Sequence, residues 1–131
     1  MNKVSIMLKI LIAEDHKTSA ETLALALERL GHQVIVGTGA DVILTMSDLE
    51  KKTTDVLIAD YDLRDQLGCV LLRILNRANP NVKSILMTGH GDISLCGREE
   101  FDVVIRKPLD LQQLETQLKQ WEDSLLQKKA S

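Results

Sequence analysis

Short apolar runs alternate with amphipathic helical patterns along this chain. The runs cover residues 8–13, 34–36, 56–59, 84–87 and 103–105. Apolar runs of this length, bounded by polar residues, are typical of buried strands. Strands that alternate with helices favour parallel pairing through right-handed crossovers. The pattern therefore predicts an α/β fold whose parallel sheet is buried on both faces.

The first two helices are predicted from their caps and their apolar spacing. Residues 17–30 form the first helix, with Thr18 and Glu21 as a capping box and Gly31 at the C-terminal cap. Residues 41–51 form the second helix, which we expect to bury Val42, Met46 and Leu49.

The remaining helices follow from stop signals and from a long apolar stripe. The third helix covers residues 66–78 and ends before Asn79-Pro80. The last helix follows Lys107-Pro108 with Asp110 as its cap, and it leads into a polar tail over 127–131 that we expect to fray. Its core-facing stripe at helical spacing comprises Leu111, Leu114, Leu118, Trp121 and Leu125.

Composition limits the classes of protein that fit. The 131 residues suit one domain, and 44% hydrophobic and 27% charged residues are ordinary for a globular protein. A net charge of −3 favours no direct nucleic-acid binding. No apolar run is long enough for a membrane span, and residues 1–7 form a leader without the features of a signal peptide. We therefore expect a cytoplasmic protein whose Cys69 and Cys96 are reduced thiols.

Acidic residues follow two of the predicted strands. Glu14 and Asp15 come directly after the first run, and Asp60 and Asp62 follow the third. Ligands of open parallel sheets bind outside the carboxyl ends of the strands, so these carboxylates are aimed at the binding crevice. Like charges held close repel each other, and a hard divalent cation such as Mg²⁺ would relieve the repulsion.

Two further strand ends carry groups suited to phosphate chemistry. Thr88 supplies a hydroxyl after the fourth strand, and Lys107 supplies a compact positive charge after the fifth. With a metal offsetting the repulsion, Asp60 can act as a nucleophile toward phosphorus. Each residue alone is more simply a solvated acid, a turn residue or a helix entrance. Their joint occurrence at the same ends of successive strands indicates phosphoryl transfer.

These residues resemble the receiver domain of two-component response regulators. The resemblance rests on Glu14-Asp15, Asp60, Gly68 eight residues later, Thr88 and Lys107-Pro108, and it covers residues 8–126 as one domain. It implies a doubly wound, flavodoxin-like (βα)5 fold with five parallel strands in the order 2-1-3-4-5 and five surrounding helices.

The resemblance also implies a role for each acidic residue. Asp60 is then the phosphoryl acceptor. The implied Mg²⁺ ligands are Asp15, Asp60 and the main-chain carbonyl of Asp62, whereas Glu14 acts mostly through a coordinated water.

Thr88 and Lys107 are, by the same resemblance, the phosphate contacts that couple phosphorylation to a change of shape. The implied phosphodonor is a histidine kinase or a histidine phosphotransfer protein, and the domain catalyses only its own phosphorylation and dephosphorylation. An output protein of unknown identity and a homodimer formed through the last strand and helix are further expectations.

Several positions depart from the family pattern or vary within it. Val104 stands three residues before the lysine, where the family usually has an aromatic switch residue, and Phe101 lies three residues further upstream. The stretch 89–100 is shorter than usual by about one helical turn. Asp62 and His90 occupy positions that tune the lifetime of the phosphoryl group in the family.

Three alternatives remain open at the level of sequence. The chain is either a single-domain regulator or a receiver taken from a longer hybrid kinase or regulator. A degenerate receiver would act as a phosphorylation-independent interaction module. A haloacid-dehalogenase-like phosphatase would use Asp60-Tyr61-Asp62 as its aspartate pair, although that pair normally follows the first strand.

Overall fold

A five-stranded parallel sheet forms the centre of the molecule. The structure, a computed structural model, describes residues 6–39, 41–61, 63, 68–89 and 100–130. The sheet has the strand order β2-β1-β3-β4-β5, and every neighbouring pair is parallel. The predicted fold class and strand order are confirmed. The strands are β1 (Lys9–Ala13), β2 (Gln33–Gly37), β3 (Val56–Asp60), β4 (Lys83–Thr88) and β5 (Val103–Arg106).

Helices cover both faces of this sheet, which explains why its inner strands are continuously apolar. Ile10 and Ile12 of β1 point to the face covered by α1 and α5, whereas Leu11 and Ala13 point to the face covered by α2 and α4. This alternation is the period of two that strands impose on side chains. The helices are α1 (Lys17–Arg29), α2 (Asp41–Thr45), α3 (Asp48–Thr53), α4 (Gly68–Ala78) and α5 (Leu111–Ala130).

The predicted single helix over 41–51 is wrong, because two short helices occupy its place. The first ends at Thr45, and Ser47 caps the second. The Ser47 hydroxyl accepts from the Glu50 N–H at 3.1 Å, while the Glu50 carboxylate accepts from the Ser47 N–H at 2.9 Å. This reciprocal capping box starts a new helix axis at Asp48. Leu49 consequently points outward and is 71% exposed, although Met46 is buried as expected.

The start of α1 also differs from its prediction. His16 is the N-cap, and its Nδ1 accepts from the Ser19 N–H at 3.3 Å, so Thr18 and Glu21 do not form the expected capping box. The C-terminal prediction is confirmed, because Gly31 has a φ of 98°, a conformation that favours glycine.

The last helix begins as predicted and extends further than predicted. Asp110 caps it by accepting from the Gln112 N–H at 3.0 Å. Leu111 is 47% exposed and does not join the core stripe. The helix continues through Ala130, where we expected a frayed tail. Leu114, Leu118 and Trp121 are buried, and Leu125 packs partly against them.

The third helix is confirmed from Gly68 to Ala78, and its first predicted residues lie outside the described part of the chain. Within the described residues, no helix combines the length and apolar character needed to cross a membrane.

Candidate functional site

Three carboxylates meet at the carboxyl edge of the sheet. Ala13 of β1 lies beside Ala59 of β3, so Glu14 and Asp60, the residues that follow them, are neighbours on adjacent strands. Glu14, Asp15 and Asp60 each offer an oxygen, and these oxygens lie within 4.8 Å of one another. Glu14 and Asp60 are buried. The predicted acidic cluster is therefore present.

Lys107 places its ammonium group between two of these acids. Its Nζ lies 3.0 Å from Glu14 Oε2 and 3.0 Å from Asp60 Oδ2. The backbone N–H of Lys107 donates to the Thr88 carbonyl at 2.8 Å, which fixes the residue at the end of β5. The ammonium group of Lys107 therefore lies at the acidic cluster, where the sequence analysis expected it.

Burial and charge shift the titration of Glu14 and Lys107 upward. Burial raises the pKa of the Glu14 carboxyl, and the hydrogen bonds from Lys107 and the His16 N–H only partly offset this effect. Burial by itself lowers the pKa of Lys107, but hydrogen bonds to Asp60 and Glu14 and the charges of both acids outweigh it and raise that pKa.

Backbone contacts hold Glu14 in place. Its N–H donates to the Gly37 carbonyl at 3.0 Å, and its Oε1 accepts from the His16 N–H at 3.1 Å. His16 is the positioning residue that sequence reasoning missed. The sequence offered one signal for this role: His16 directly follows the acidic pair and precedes the first predicted helix.

The start of α4 packs against the backbone of the candidate acceptor. The Gly68 N–H donates to the Tyr61 carbonyl at 3.1 Å, and the Tyr61 N–H donates to the Met87 carbonyl at 2.8 Å. A Cβ at Gly68 would overlap the carbonyl oxygen of Asp60. The absence of a side chain at Gly68 therefore permits this close approach between helix and strand.

Thr88 ends β4 at the same edge of the sheet. Asp60 pairs with Met87, so Thr88 stands one residue beyond the position opposite Asp60 on the neighbouring strand, where it is buried. The structure thus brings Glu14, Asp15, Asp60 and Lys107 into one cluster with Thr88 on the adjoining strand end. Asp62 and His90 lie outside the described residues.

The two positions discussed as switch residues lie on one face of the sheet. Val104 of β5 packs partly against the core between the sheet and α4, and Phe101 is buried in that same core. Most of the shortened stretch 89–100 lies outside the described residues.

The expectation of reduced cysteines is wrong for Cys69. This residue of α4 is disulfide-bonded and buried. Cys96 lies outside the described part of the chain. The spacing of the cysteines in the sequence did not indicate a disulfide, because neither cysteine belongs to a recognised redox or metal motif.

The donor set fits a hard divalent cation. Three carboxylates at this spacing supply oxygen ligands, which Mg²⁺ and Ca²⁺ prefer. The doubly wound α/β domain therefore has an acidic pocket, a hydroxyl and a lysine together at the carboxyl edge of its sheet.

The chain belongs to the response regulator receiver domain family, whose model matches residues 10–119. It is therefore the receiver domain of a two-component response regulator. This membership argues against the phosphatase alternative, and Asp60 ends the third strand rather than following the first.

Individual relatives agree with the family. The luminescence regulatory protein LuxO of Vibrio campbellii is 34% identical over 83 residues, which cover 63% of this chain and 18% of that protein. The chain thus spans less than a fifth of the curated relative. A receiver domain from Clostridium thermocellum has a TM-score of 0.79 at 26% identity and covers 90% of this chain and 96% of its own. One from Methylobacillus flagellatus has a TM-score of 0.72 at 29% identity, with coverage of 89% and 100%.

Proposed function

We propose that Asp60 accepts a phosphoryl group from a phosphohistidine in a Mg²⁺-dependent reaction. The observation that carries the proposal is the Asp60–Lys107–Glu14 arrangement, in which one ammonium lies 3.0 Å from two buried carboxylates. A carboxylate oxygen of Asp60 attacks phosphorus, the P–N bond to the donor histidine breaks, and an acyl phosphate forms. The electron pair of the broken bond stays on the histidine nitrogen.

Mg²⁺, when bound, neutralises charge on the phosphoryl oxygens. Asp15 and Asp60 are the proposed direct ligands, with the main-chain carbonyl of Asp62 as a third and Glu14 acting through a coordinated water. Support comes from the spacing of the three carboxylates, whose oxygens lie within 4.8 Å of one another.

Lys107 and Thr88 bind the transferred group in this proposal. Lys107 moves its ammonium from the unphosphorylated carboxylate of Asp60 to the phosphoryl oxygens, and the Thr88 hydroxyl donates to another of these oxygens. Both residues are linked through the hydrogen bond from the Lys107 N–H to the Thr88 carbonyl. Hydrolysis restores unphosphorylated Asp60: water attacks phosphorus, the P–O bond to Asp60 breaks, and inorganic phosphate leaves.

The proposed donor is a histidine kinase or a histidine phosphotransfer protein of the cytoplasm, and the proposed output is altered binding of a partner protein. An apolar cleft of about 390 Å³ opens beside Glu14 and Lys107, between α1 and the turn before α5. Leu23, Leu109 and Leu111 line it. A donor that presents its histidine to Asp60 from this side would bury the exposed part of Leu111.

Leu111→Glu separates docking from chemistry. Glutamate is favoured in the first turn of a helix, so α5 should tolerate it. We expect phosphotransfer from the donor protein to slow by about tenfold, with labelling by acetyl phosphate unchanged, because loss of one interface contact costs on the order of the 1.4 kcal/mol that a tenfold change represents. Leu49→Glu on exposed α3 is the matched control. Equal rates for Leu111→Glu and wild type would rule out this docking face.

Asp60→Asn tests the acceptor. Wild-type protein should take up a hydroxylamine-sensitive phosphoryl group from radiolabelled acetyl phosphate with Mg²⁺, and the variant should take up none. Asp123→Asn, at an exposed position on α5, is the control for loss of one carboxylate. Labelling that persists in Asp60→Asn would show that another residue accepts the phosphoryl group. Absence of labelling in the wild type would favour the degenerate interaction module.

A further inference from the structure

A cavity of about 480 Å³ opens at the amino edge of the sheet, opposite the edge that carries the carboxylate cluster. Leu8, which leads into β1, lines it together with Val56 and Lys83, the first residues of β3 and β4. Trp121 and Leu125 of α5 line it from the helical side. Sites that hold small molecules have volumes of roughly 300–1,000 Å³. This amino-edge cavity is therefore large enough for a small organic molecule.

Part of the cavity lining is apolar and belongs to the protein core. Leu8 and Val56 are fully buried, and Trp121 is buried beside them in the same core cluster. Leu125 packs partly against that cluster, and residues four apart are neighbours on a helix surface, so Trp121 and Leu125 form one continuous apolar wall. An aromatic wall of this kind favours a flat apolar molecule.

The acids of the cavity are held by the backbone of the sheet edge. Asp55 Oδ2 accepts from the Lys9 N–H at 2.8 Å. Asp102 Oδ2 accepts from the Ser84 N–H at 2.8 Å, and the Asp102 N–H donates to the Ser84 hydroxyl at 3.1 Å. Both carboxylates therefore fix the shape of the cavity wall whether or not a molecule is bound.

Two lysines supply positive charge at the opening of the cavity. Lys52 and Lys83 both line the cavity and are exposed. Within the described part of the chain, no hydrogen bond or ion pair engages either ammonium group. An ammonium group has three donors and no acceptor, so a bound molecule must provide the acceptor atoms. Charged acceptors such as carboxylate or phosphate oxygens make the stronger hydrogen bonds.

We propose that the amino-edge cavity binds an amphipathic organic anion, a molecule with a flat apolar body and one carboxylate, sulfonate or phosphate group. The apolar body packs on Trp121 and Leu125, and the anionic group contacts the ammonium groups of Lys52 and Lys83. None of the proposed phosphoryl-site residues lines this cavity. The site therefore does not rest on the proposed function, and failure of Asp60 to accept phosphate would leave it unaffected.

Anilinonaphthalene sulfonate, which joins an aromatic body to one sulfonate group, is the probe for this site. The intact chain is titrated with it and followed by two-dimensional NMR. Trp121 is the only tryptophan, so its indole N–H gives a single signal that reports on the cavity. We expect this signal and the amides of residues 81–83 to shift along one saturable curve. Shifts confined to the cleft beside Lys107, or an indole signal that does not move, would overturn the proposal.

Comparison with phenylnaphthylamine, which has the same aromatic body and no sulfonate, tests the charge requirement. Wild type should bind the sulfonate about tenfold more tightly, because hydrogen bonds to charged groups are the stronger ones. The double variant Lys52→Met with Lys83→Met should lose this preference. Lys17→Met with Lys119→Met removes two exposed lysines outside the cavity and should keep it. Equal affinity of wild type for both probes, or an unchanged preference in the first double variant, would contradict an anion site.

Ser124→Phe tests the cavity itself. Ser124 lines the cavity from α5 and is exposed, so the helix should accept a larger side chain there. We expect Phe to occupy the space of the probe and to abolish binding of both compounds, whereas Ser124→Ala should bind them as wild type does. Circular dichroism and the melting curve verify that both variants are folded. Wild-type affinity in folded Ser124→Phe would place the probes outside the amino-edge cavity and overturn the proposal.

Discussion

Lys107 compensates the charge of two buried acids at the centre of the site. Unit charges about 4 Å apart interact by about 4 kcal/mol at an effective dielectric of 20, so uncompensated carboxylates there would repel strongly. The Lys107 side chain is 36% exposed, and solvent screens part of its attraction to Glu14 and Asp60. A divalent cation bound by these acids would therefore share the electrostatic role of the ammonium group.

Lys107→Met should make folding stability depend on Mg²⁺. Without the metal, the loss of two charge-assisted hydrogen bonds should lower the free energy of unfolding by about 1–2 kcal/mol. Saturating Mg²⁺ should remove most of that loss, because the ion replaces the missing positive charge. Urea unfolding with and without MgCl₂ measures both values. Lys119→Met, which removes an exposed ion-pairing lysine of α5, is the control. A deficit that Mg²⁺ leaves unchanged would refute the shared role.

His32 connects three elements through a buried ring. Its Nδ1 accepts from the Leu8 N–H at 3.1 Å, at the entrance to β1, and its Nε2 lies 3.3 Å from Glu122 of α5. Because Nδ1 accepts, the neutral ring carries its proton on Nε2, toward Glu122. A second proton on Nδ1 would face the Leu8 N–H. Burial lowers the pKa of His32, and the charges of Glu122 and Asp55 only partly counteract this.

The pH dependence of stability follows from that lowered pKa. The unfolded state binds a proton on this histidine near pH 6.5, and the folded state binds it only at lower pH. Stability is therefore full above pH 6.5 and is lost as the pH falls through the folded pKa. Urea unfolding between pH 7.5 and pH 5 should show this loss.

His32→Asn keeps an acceptor for Leu8 and cannot titrate, so it should flatten the slope. His16→Asn, at an exposed N-cap where asparagine is well tolerated, should keep the wild-type slope. Equal slopes for wild type and His32→Asn would show that other groups dominate.

Strands were more predictable from the sequence than helices. Parallel strands buried on both faces need apolar side chains at every position, and β3 is buried along its whole length. The short length of these runs and their polar boundaries indicated strands. The strand ends were therefore located well enough to align Glu14 and Asp60.

The predicted helix boundaries were wrong where a local hydrogen bond, and not the apolar spacing, decided where a helix begins. The Ser47–Glu50 capping box divides what the spacing of Val42, Met46 and Leu49 had joined. Similarly, His16 is the N-cap of α1 in place of the predicted Thr18, because its ring nitrogen accepts from the Ser19 N–H. Such choices depend on where the chain enters the helix, which apolar spacing does not report.

The fold of the whole molecule brings residues that are far apart in the sequence close together in space. Glu14 and Lys107 are 93 residues apart in the chain and 3.0 Å apart in space, because parallel strands end at one edge. Strand-end reasoning predicted this convergence. It did not predict that Lys107 would bridge Glu14 and Asp60, that His16 would hold Glu14, or that Cys69 would be disulfide-bonded. Those contacts depend on side-chain reach across elements.

Ligand binding at that edge should stabilise the entire domain. Mg²⁺ alone should bind weakly, because few protein ligands are available to it. Mg²⁺ with beryllofluoride, a phosphoryl mimic, should raise the melting temperature by roughly 10 °C, since ligand at 100 times its Kd adds about 2.7 kcal/mol.

Asp15→Ala and Asp60→Asn should each abolish this rise, whereas Asp123→Asn should keep it. The combined ligands must exceed the sum of their separate effects, because the phosphoryl mimic completes the coordination that the carboxylates begin. A rise from beryllofluoride without Mg²⁺, or one that persists in Asp60→Asn, would place the bound mimic outside the carboxyl edge of the sheet.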